Sequence, residues 1–311
     1  MSRIRPRPII LDCDPGHDDA LAILLALARF ELRLLGITTV GGNATLENTT
    51  RNALSVITLL GRTDVPVAAG AAAPLARRLE TAPHVHGSSG LEGADLPAPR
   101  ISVIDEDAVD FIARMVSGSD EPVTLVPTGP LTNIALFRRR HPDLYARVDE
   151  VVLMGGSLGE GNITPFAEFN IWVDPEAASE VMAGGRPVTM MGLDVTHQAL
   201  FSLDDTDRLE RLGSRAAVAF AGLLRFFARF HHERYGWEGA PIHDAVAVAH
   251  LMGDGLVTTQ RHAIHVSTEV GTRGQTSGLP VDDGEDGVEV GMAIDRRRFV
   301  DLLIEAVAQF P

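Results

Sequence analysis

The stretch Leu11-Asp12-Cys13-Asp14-Pro15-Gly16-His17-Asp18-Asp19 places four carboxylates within eight residues, at what reads as a strand-to-helix junction. Before it, Pro8-Ile9-Ile10-Leu11 is a short apolar run of the kind a buried strand uses. After it, Ala20-Leu21-Ala22-Ile23-Leu24-Leu25-Ala26-Leu27 is an uncharged run of helix formers. Pro15-Gly16 is the turn between them. Side chains alternate along a strand, so Asp12 and Asp14 point the same way. Asp18 and Asp19 fall in the first helical turn, where free N–H groups favour negative charge. All four converge at the carboxyl end of a strand, where open α/β sheets place ligands. Ionised groups this close raise one another's pKa unless something neutralises them. An all-oxygen ligand set favours a hard divalent cation, Ca²⁺ or Mg²⁺, over zinc.

Working outward, strand-like and helix-like runs alternate, which argues for βαβ units and a mostly parallel central sheet flanked by helices in one large α/β domain. Residues 32–40 read as the second strand, ending in Gly41-Gly42-Asn43, with a helix over 46–60 and a short strand over 66–70. The loop Pro83-His84-Val85-His86-Gly87-Ser88-Ser89-Gly90 is rich in residues that resist regular structure. A helix over 105–116, a strand over 122–128 and a helix ending in Arg138-Arg139-Arg140 follow. Strands over 148–154 and 187–195 are closed by Gly155-Gly156 and Thr196-His197, and Asp174-Pro175-Glu176 opens a short helix between them. The long helix 214–232 carries Phe220, Phe226, Phe227 and Phe230, read as a core-facing stripe. His243 opens a helix over 244–252, and an amphipathic helix over 299–310 closes the chain. The acidic segment Asp282-Asp283-Gly284-Glu285-Asp286 reads as a solvated loop, and Arg296-Arg297-Arg298 as a solvated helix start.

The 311 residues carry 27 Lys+Arg against 42 Asp+Glu, and the net charge of -15 repels nucleic acid and anionic membrane surfaces. The one cysteine, Cys13, excludes an internal disulfide framework, fits a reducing compartment and reads as a small buried residue. Residues 1–7 are basic and run straight into the strand, so no signal peptide is read. The apolar run 20–28 is far shorter than the roughly 20 residues that span a bilayer. The expectation is a soluble cytoplasmic protein with neither nucleic acid nor membrane as a partner.

Candidate groups recur at strand ends: Asn43, Thr128 and Met154. The loop Gly161-Asn162-Ile163-Thr164-Pro165-Phe166-Ala167-Glu168-Phe169-Asn170 offers two amides and a carboxylate, groups suited to vicinal sugar hydroxyls. At the later helix start, Asp244 reads either as an N-cap or as a further carboxylate for the Asp14 cluster. His243 beside it is expected to titrate near neutrality and suit proton transfer, with a satisfied core histidine as the alternative.

The D-x-D-P-G-x-D-D pattern after a strand resembles the signature of the nucleoside hydrolases, the inosine-uridine preferring N-ribohydrolases. Ile37-Thr38-Thr39-Val40-Gly41-Gly42-Asn43, Leu125-Val126-Pro127-Thr128-Gly129-Pro130-Leu131-Thr132-Asn133, Val152-Leu153-Met154-Gly155-Gly156, Ala167-Glu168-Phe169-Asn170 and His243-Asp244 are similar to further family segments, in the family's order. The resemblance implies a nucleoside hydrolase domain over 1–311, with Ca²⁺ held by Asp14, Asp19, Asp244 and the Thr128 main-chain carbonyl. Asp18, Asn162, Glu168 and Asn170 match ribose-binding positions, and Asn43 and Met154 line the same pocket. His86 matches a histidine near the base, and Asp12 looks like a support behind the metal ligands.

The implied reaction is hydrolysis of a ribonucleoside, purine or pyrimidine, to ribose and free base. Asp14 takes a proton from the attacking water and His243 gives one to the leaving base. Phe166, His231, Tyr235 and Trp237 are the candidates to stack on that base. The resemblance also implies a homodimer or homotetramer. Two rivals stand beside this reading: a dehalogenase-like phosphatase with Asp12 as nucleophile, and a non-catalytic nucleoside- or ribose-binding protein. The second Asp-Asp pair and the lack of any lysine count against the first. The intact Asp14, Asp19, Asp244 and His243 count against the second.

Overall fold

The computed structural model describes residues 5–253, 255–282 and 285–311, so Asp283 and Gly284 of the acidic segment and residues 1–4 lie outside the described residues. The chain begins with β1 (Arg7–Cys13), α1 (His17–Ala28), β2 (Leu32–Thr39), α2 (Leu46–Leu59) and β3 (Val67–Ala69). Next come α3 (Pro83–His86), α4 (Ala108–Gly118), β4 (Thr124–Pro127), α5 (Thr132–Arg140), α6 (Pro142–Tyr145) and β5 (Val151–Met154). The middle of the chain forms α7 (Phe169–Val173), α8 (Pro175–Met182), β6 (Val188–Met191), α9 (Leu193–Thr196), β7 (Leu200–Ser202) and α10 (Leu203–Glu210). It ends with α11 (Arg215–Tyr235), β8 (Gly239–Pro241), α12 (His243–His250), β9 (Val257–Val266), β10 (Thr276–Pro280), β11 (Val288–Ile294) and α13 (Arg296–Val307).

A nine-stranded sheet in the order β10-β9-β11-β6-β5-β4-β1-β2-β3 runs through the molecule, and β7 pairs with β8 apart from it. In this order the strands from β11 through β6, β5, β4, β1 and β2 to β3 run parallel, and at the other edge β9 pairs antiparallel with both β11 and β10. The order reverses direction at β1, which lies between β2 and β4. That reversal opens the crevice in which sheets of this class bind ligands. β1 alternates as a doubly covered strand must: Ile9, Leu11 and Cys13 join the core that includes α1, α2, α11, α12 and α13, and Ile10 joins the core of α4, α5 and α8. α1 is buried from His17 to Ala26 and packs on α12, α13, α2 and α11. No helix among the described residues is long and apolar enough to cross a membrane.

Several expectations are corrected. The loop around residue 83 contains α3, because Pro83 pre-sets the first helical turn and Gly87, at φ 79, closes it. The strand read over 187–195 stops at Met191: Gly192 caps α9, and the Leu193 N–H leaves the ladder for the Gly156 carbonyl. Arg296 is more than a solvated helix start, since its Nε donates to the Leu200 carbonyl at 2.7 Å and its guanidinium pairs with Asp205. The sequence reading also assigned no strands to β9, β10 and β11. β9 and β10 are largely exposed and lack the apolar run that marked the central strands.

The β1–β2 register slips between Ile9↔Leu34 and Ile10↔Gly36, leaving Leu35 as a bulge. At Gly36 an added Cβ would lie 2.3 Å from Cζ of Phe111, a fully buried ring of α4. The close seating of α4 on β2 therefore needs glycine there. Gly36→Ala is expected to lower stability by about 1–3 kcal/mol through overpacking. In urea unfolding this reads as a lower midpoint with an unchanged slope; an unaltered midpoint would show that the ring yields freely.

Candidate active site

Two helices with buried, apolar bodies, α1 and α12, pack side by side and bring their acidic first turns together. One oxygen from each of Asp18, Asp19 and Asp244 falls within 4.8 Å of the others, and all three residues are buried. Helix N-termini favour such groups through their unpaired N–H bonds and dipoles. Asp19 Oδ2 accepts from the Gly16 N–H at 3.0 Å, and its Oδ1 accepts from the Thr128 hydroxyl at 2.8 Å. Thr128 thus ties the end of β4 to the start of α1.

Asp14 lies on the last step out of β1. Its Oδ2 accepts from the Asn43 N–H at 2.6 Å, and its buried Oδ1 has no donor among the described residues. The carboxylate is clamped between two glycines: a Cβ at Gly42 would lie 2.0 Å from Oδ2, and one at Gly129 2.6 Å from Oδ1. Asp12 sits behind this layer. Its Oδ1 accepts from Thr38 at 2.5 Å and from Asn133 at 2.7 Å, and its Oδ2 is a second buried oxygen without a donor. The support expected of Asp12 thus takes the form of bonds to β2 and α5.

Burial is the main cause of every carboxylate shift here. It raises Asp12 and Asp18 to about 7, with the charge of Asp19 adding to both. Asp14 and Asp244 are pushed well above the usual carboxylate range, burial again leading and neighbouring aspartates adding. Among the described residues no arginine lines the cavity to offset these charges. An all-oxygen donor set, an orphaned Asp14 oxygen and uncompensated buried charge fit a hard divalent cation.

Above the carboxylates opens a cavity of about 720 Å³, counting its mouth. Of the expected site residues, Asp18, Asn43, His86, Thr128, Met154, Asn162, Glu168, Asn170, His243 and Asp244 line it, while Asp14 and Asp19 lie beneath. Asn170 Nδ2 donates to the Thr128 carbonyl at 2.8 Å and to the Met154 carbonyl at 3.2 Å, joining two strand ends. Glu168 caps α7: Oε1 accepts from Asn170 N at 2.9 Å, and Oε2 from Gly156 N at 3.0 Å and Ile171 N at 3.1 Å. Its pKa still rises to about 6, because burial outweighs those bonds. Asn162 Oδ1 accepts from Phe169 N at 2.9 Å, which shapes the loop.

The opposite wall is aromatic and differs from expectation. His231 and Tyr235 line it as anticipated, but Phe166 does not, and Phe169 stands on the wall instead. Phe227 and Phe230, read as core residues, also face the cavity, and Phe227 serves both roles. Trp237 lies behind, stacked on His231 with centroids 5.7 Å apart. His197, which sequence reasoning assigned only as a strand end, lines the wall beside His243 at 5.6 Å. Its one visible signal was its place after a strand. His243 itself bonds Thr196 Oγ1 through Nδ1 at 2.8 Å. The expected near-neutral pKa is not found: burial, with His197, His231 and His86 adding, holds it well below the usual histidine value.

These shifts fix a sign. Carboxylates whose folded pKa exceeds the unfolded value near 3.8 bind more protons in the native state, so their contribution is lost as pH rises through about 7. Buried neutral histidines act oppositely, but that effect is complete above the unfolded value near 6.5. Chelator-treated protein should therefore lose melting temperature as pH rises above about 6.5 and through the folded values near 7 of Asp12 and Asp18, and an added divalent cation should remove the loss. A flat profile without cation would show that the cluster is not desolvated as described.

The inosine-uridine preferring nucleoside hydrolase family model matches residues 9–301. The pyrimidine-specific ribonucleoside hydrolase RihA of Shewanella sp. (strain ANA-3) is 47% identical, with 98% of this chain and 97% of that protein covered. RihA of Escherichia coli O1:K1 is 47% identical over 96% of this chain and 97% of its own. Among solved structures, the purine-preferring ribonucleoside hydrolase from Gardnerella vaginalis superposes with a TM-score of 0.92 at 34% identity, covering 97% of this chain and 98% of that one. With this fold and this sequence match, the chain belongs to the inosine-uridine preferring nucleoside hydrolase family, glycosidases that act on N-glycosyl bonds.

Proposed function

We propose that this chain, acting over residues 1–311 as one hydrolase domain, cleaves pyrimidine ribonucleosides to ribose and free base with Ca²⁺ as its cation. The observation that carries the reading is the meeting, in one cavity, of buried carboxylates, sugar-type amides and an aromatic, histidine-lined wall. The pyrimidine preference is supported by relatives named pyrimidine-specific at 47% identity. The nearby structure named purine-preferring supports the alternative order of bases.

Asp14, Asp19, Asp244 and the Thr128 main-chain carbonyl would hold the Ca²⁺, which when bound orients a water and lowers its pKa. Asp14 Oδ1, without a donor among the described residues, would be the group to take a proton from a water attacking C1′ as the bond to the base breaks. Asp18, Asn162, Glu168 and Asn170, with Asn43 and Met154, hold the ribose. The carboxylates among them stabilise positive charge as the bond to the base lengthens. His86 contacts the base side. Burial holds His243 uncharged, with Nδ1 2.8 Å from the Thr196 hydroxyl. When that hydroxyl donates, the Nε2–H is free to hydrogen-bond the departing base and stabilise its developing negative charge, and the base takes its proton from solvent. Buried, unpaired Cys13 supports the cytoplasm as its location, and we further propose a homodimer or homotetramer.

Ribose and base release from uridine, cytidine, inosine and adenosine tests the reading, before and after chelation. Release is expected to stop on stripping, return with Ca²⁺, and favour the pyrimidines; cleavage of inosine ahead of uridine would overturn the preference. Asp14→Asn is expected to lower kcat by on the order of 10²–10⁴; near-normal turnover with cation still bound would remove Asp14 as the base. His243→Ala should abolish inosine cleavage yet spare a nitrophenyl riboside, whose leaving group needs no such hydrogen bond. Equal loss on both substrates would assign His243 another role.

A further inference from the structure

His17 lies inside the carboxylate turn, yet its ring leaves that turn and is 1% exposed. Nε2 lies 2.7 Å from the Glu92 carbonyl, and Nδ1 lies 3.0 Å from His86 Nδ1. The His17 main-chain N–H approaches that same His86 nitrogen at 3.4 Å. The ring stacks on His86 at 5.2 Å, and on Phe226 at 5.2 Å and Phe227 at 5.1 Å with planes 5° apart. One side chain thus joins the carboxylate turn, the segment carrying His86 and Glu92, and α11.

Among the described residues every partner of His86 Nδ1 comes from residue 17 and none is found for Nε2, while the residue itself lines the cavity. The Nδ1–Cε1 edge of His86 rests over Gly16, where a Cβ would come within 2.6 Å and 2.7 Å of those atoms. An imidazole at the end of a four-residue helix has a broad χ2 and would otherwise present either edge. We propose that His17 is a positioning residue for the hydrolysis: it fixes the His86 ring so that Nε2 faces the bound nucleoside. This rests on the reading of the cavity as the nucleoside site.

The test is a double-mutant cycle on uridine. His17→Phe keeps the ring stack and removes both side-chain bonds, and should lower kcat/KM about tenfold, mainly through KM, with a small change in melting temperature. His17→Asn, which returns an amide oxygen as acceptor near the place of Nδ1, should recover most of the loss. In a His86→Phe background, His17→Phe should add nothing further. Losses that add in full, or a lower melting temperature with unchanged kinetics, would overturn the proposal. Ribose release by the unaltered enzyme reports on the function separately. The same cycle read as uridine Kd by calorimetry keeps the two failures distinguishable should turnover be absent.

Discussion

Buried like charge is the constraint on which this structure depends. Asp12, Asp14, Asp18, Asp19 and Asp244 are all withdrawn from water at the carboxyl end of β1, and among the described residues no arginine lines the cavity beside them. Desolvating even one carboxylate is costly, and each neighbour adds repulsion. The fold offsets this with two helix N-termini, with N–H and hydroxyl donors from Gly16, Asn43, Thr38 and Thr128, and with oxygens left open for a cation. That arrangement in turn demands that α1 and α12 be apolar along their buried bodies, because both must sit inside the molecule to deliver their first turns. The carboxylate cluster and the hydrophobic core are therefore one design problem.

The cavity above the cluster is braced by hydrogen bonds of its own. Glu168 and Asn170 spend hydrogen bonds on main-chain groups at the ends of β4 and β5 and at the start of α7. A loop whose polar side chains pin their own backbone holds its remaining acceptors in fixed places, which lowers the ordering cost when a sugar binds. The antiparallel edge contributes here as well: Thr276 of β10 donates to the Ser157 carbonyl at 2.6 Å and accepts from its N–H at 2.7 Å. An edge strand far from the motif thus braces the loop that leads to Asn162.

Much of this was legible in the sequence because its signals are local. The D-x-D-P-G-x-D-D turn joins a strand and a helix whose patterns flank it directly, and His243-Asp244 opens an apolar helix in the same way. What escaped was information carried by contacts. α11 shows a single aromatic stripe, yet Phe220 faces only core while Phe227 and Phe230 also face the cavity. No periodicity separates those roles. Phe166 and Phe169, three residues apart where the loop enters α7, were likewise inseparable until the Asn162 and Glu168 bonds set the chain's path. The pKa of His243 depends on burial and on His197, His231 and His86, none of them near it in sequence.

That histidine wall gives the cavity a polarity matched to the proposed reaction. On one side stand buried carboxylates; on the other, His86, His231 and His243 are kept uncharged by burial, among aromatic rings. Breaking an N-glycosidic bond leaves positive charge on the ribose carbon and negative charge on the departing base. In the proposed binding mode the ribose lies toward the carboxylates, and the base toward neutral groups that stack and share hydrogen bonds. A protonated histidine there would attract the neighbouring carboxylates and draw them away from cation and sugar. Neutral imidazoles leave that field directed at the carbon under attack, and the depressed histidine pKa values then serve the chemistry as a separation of charge along the bond being broken.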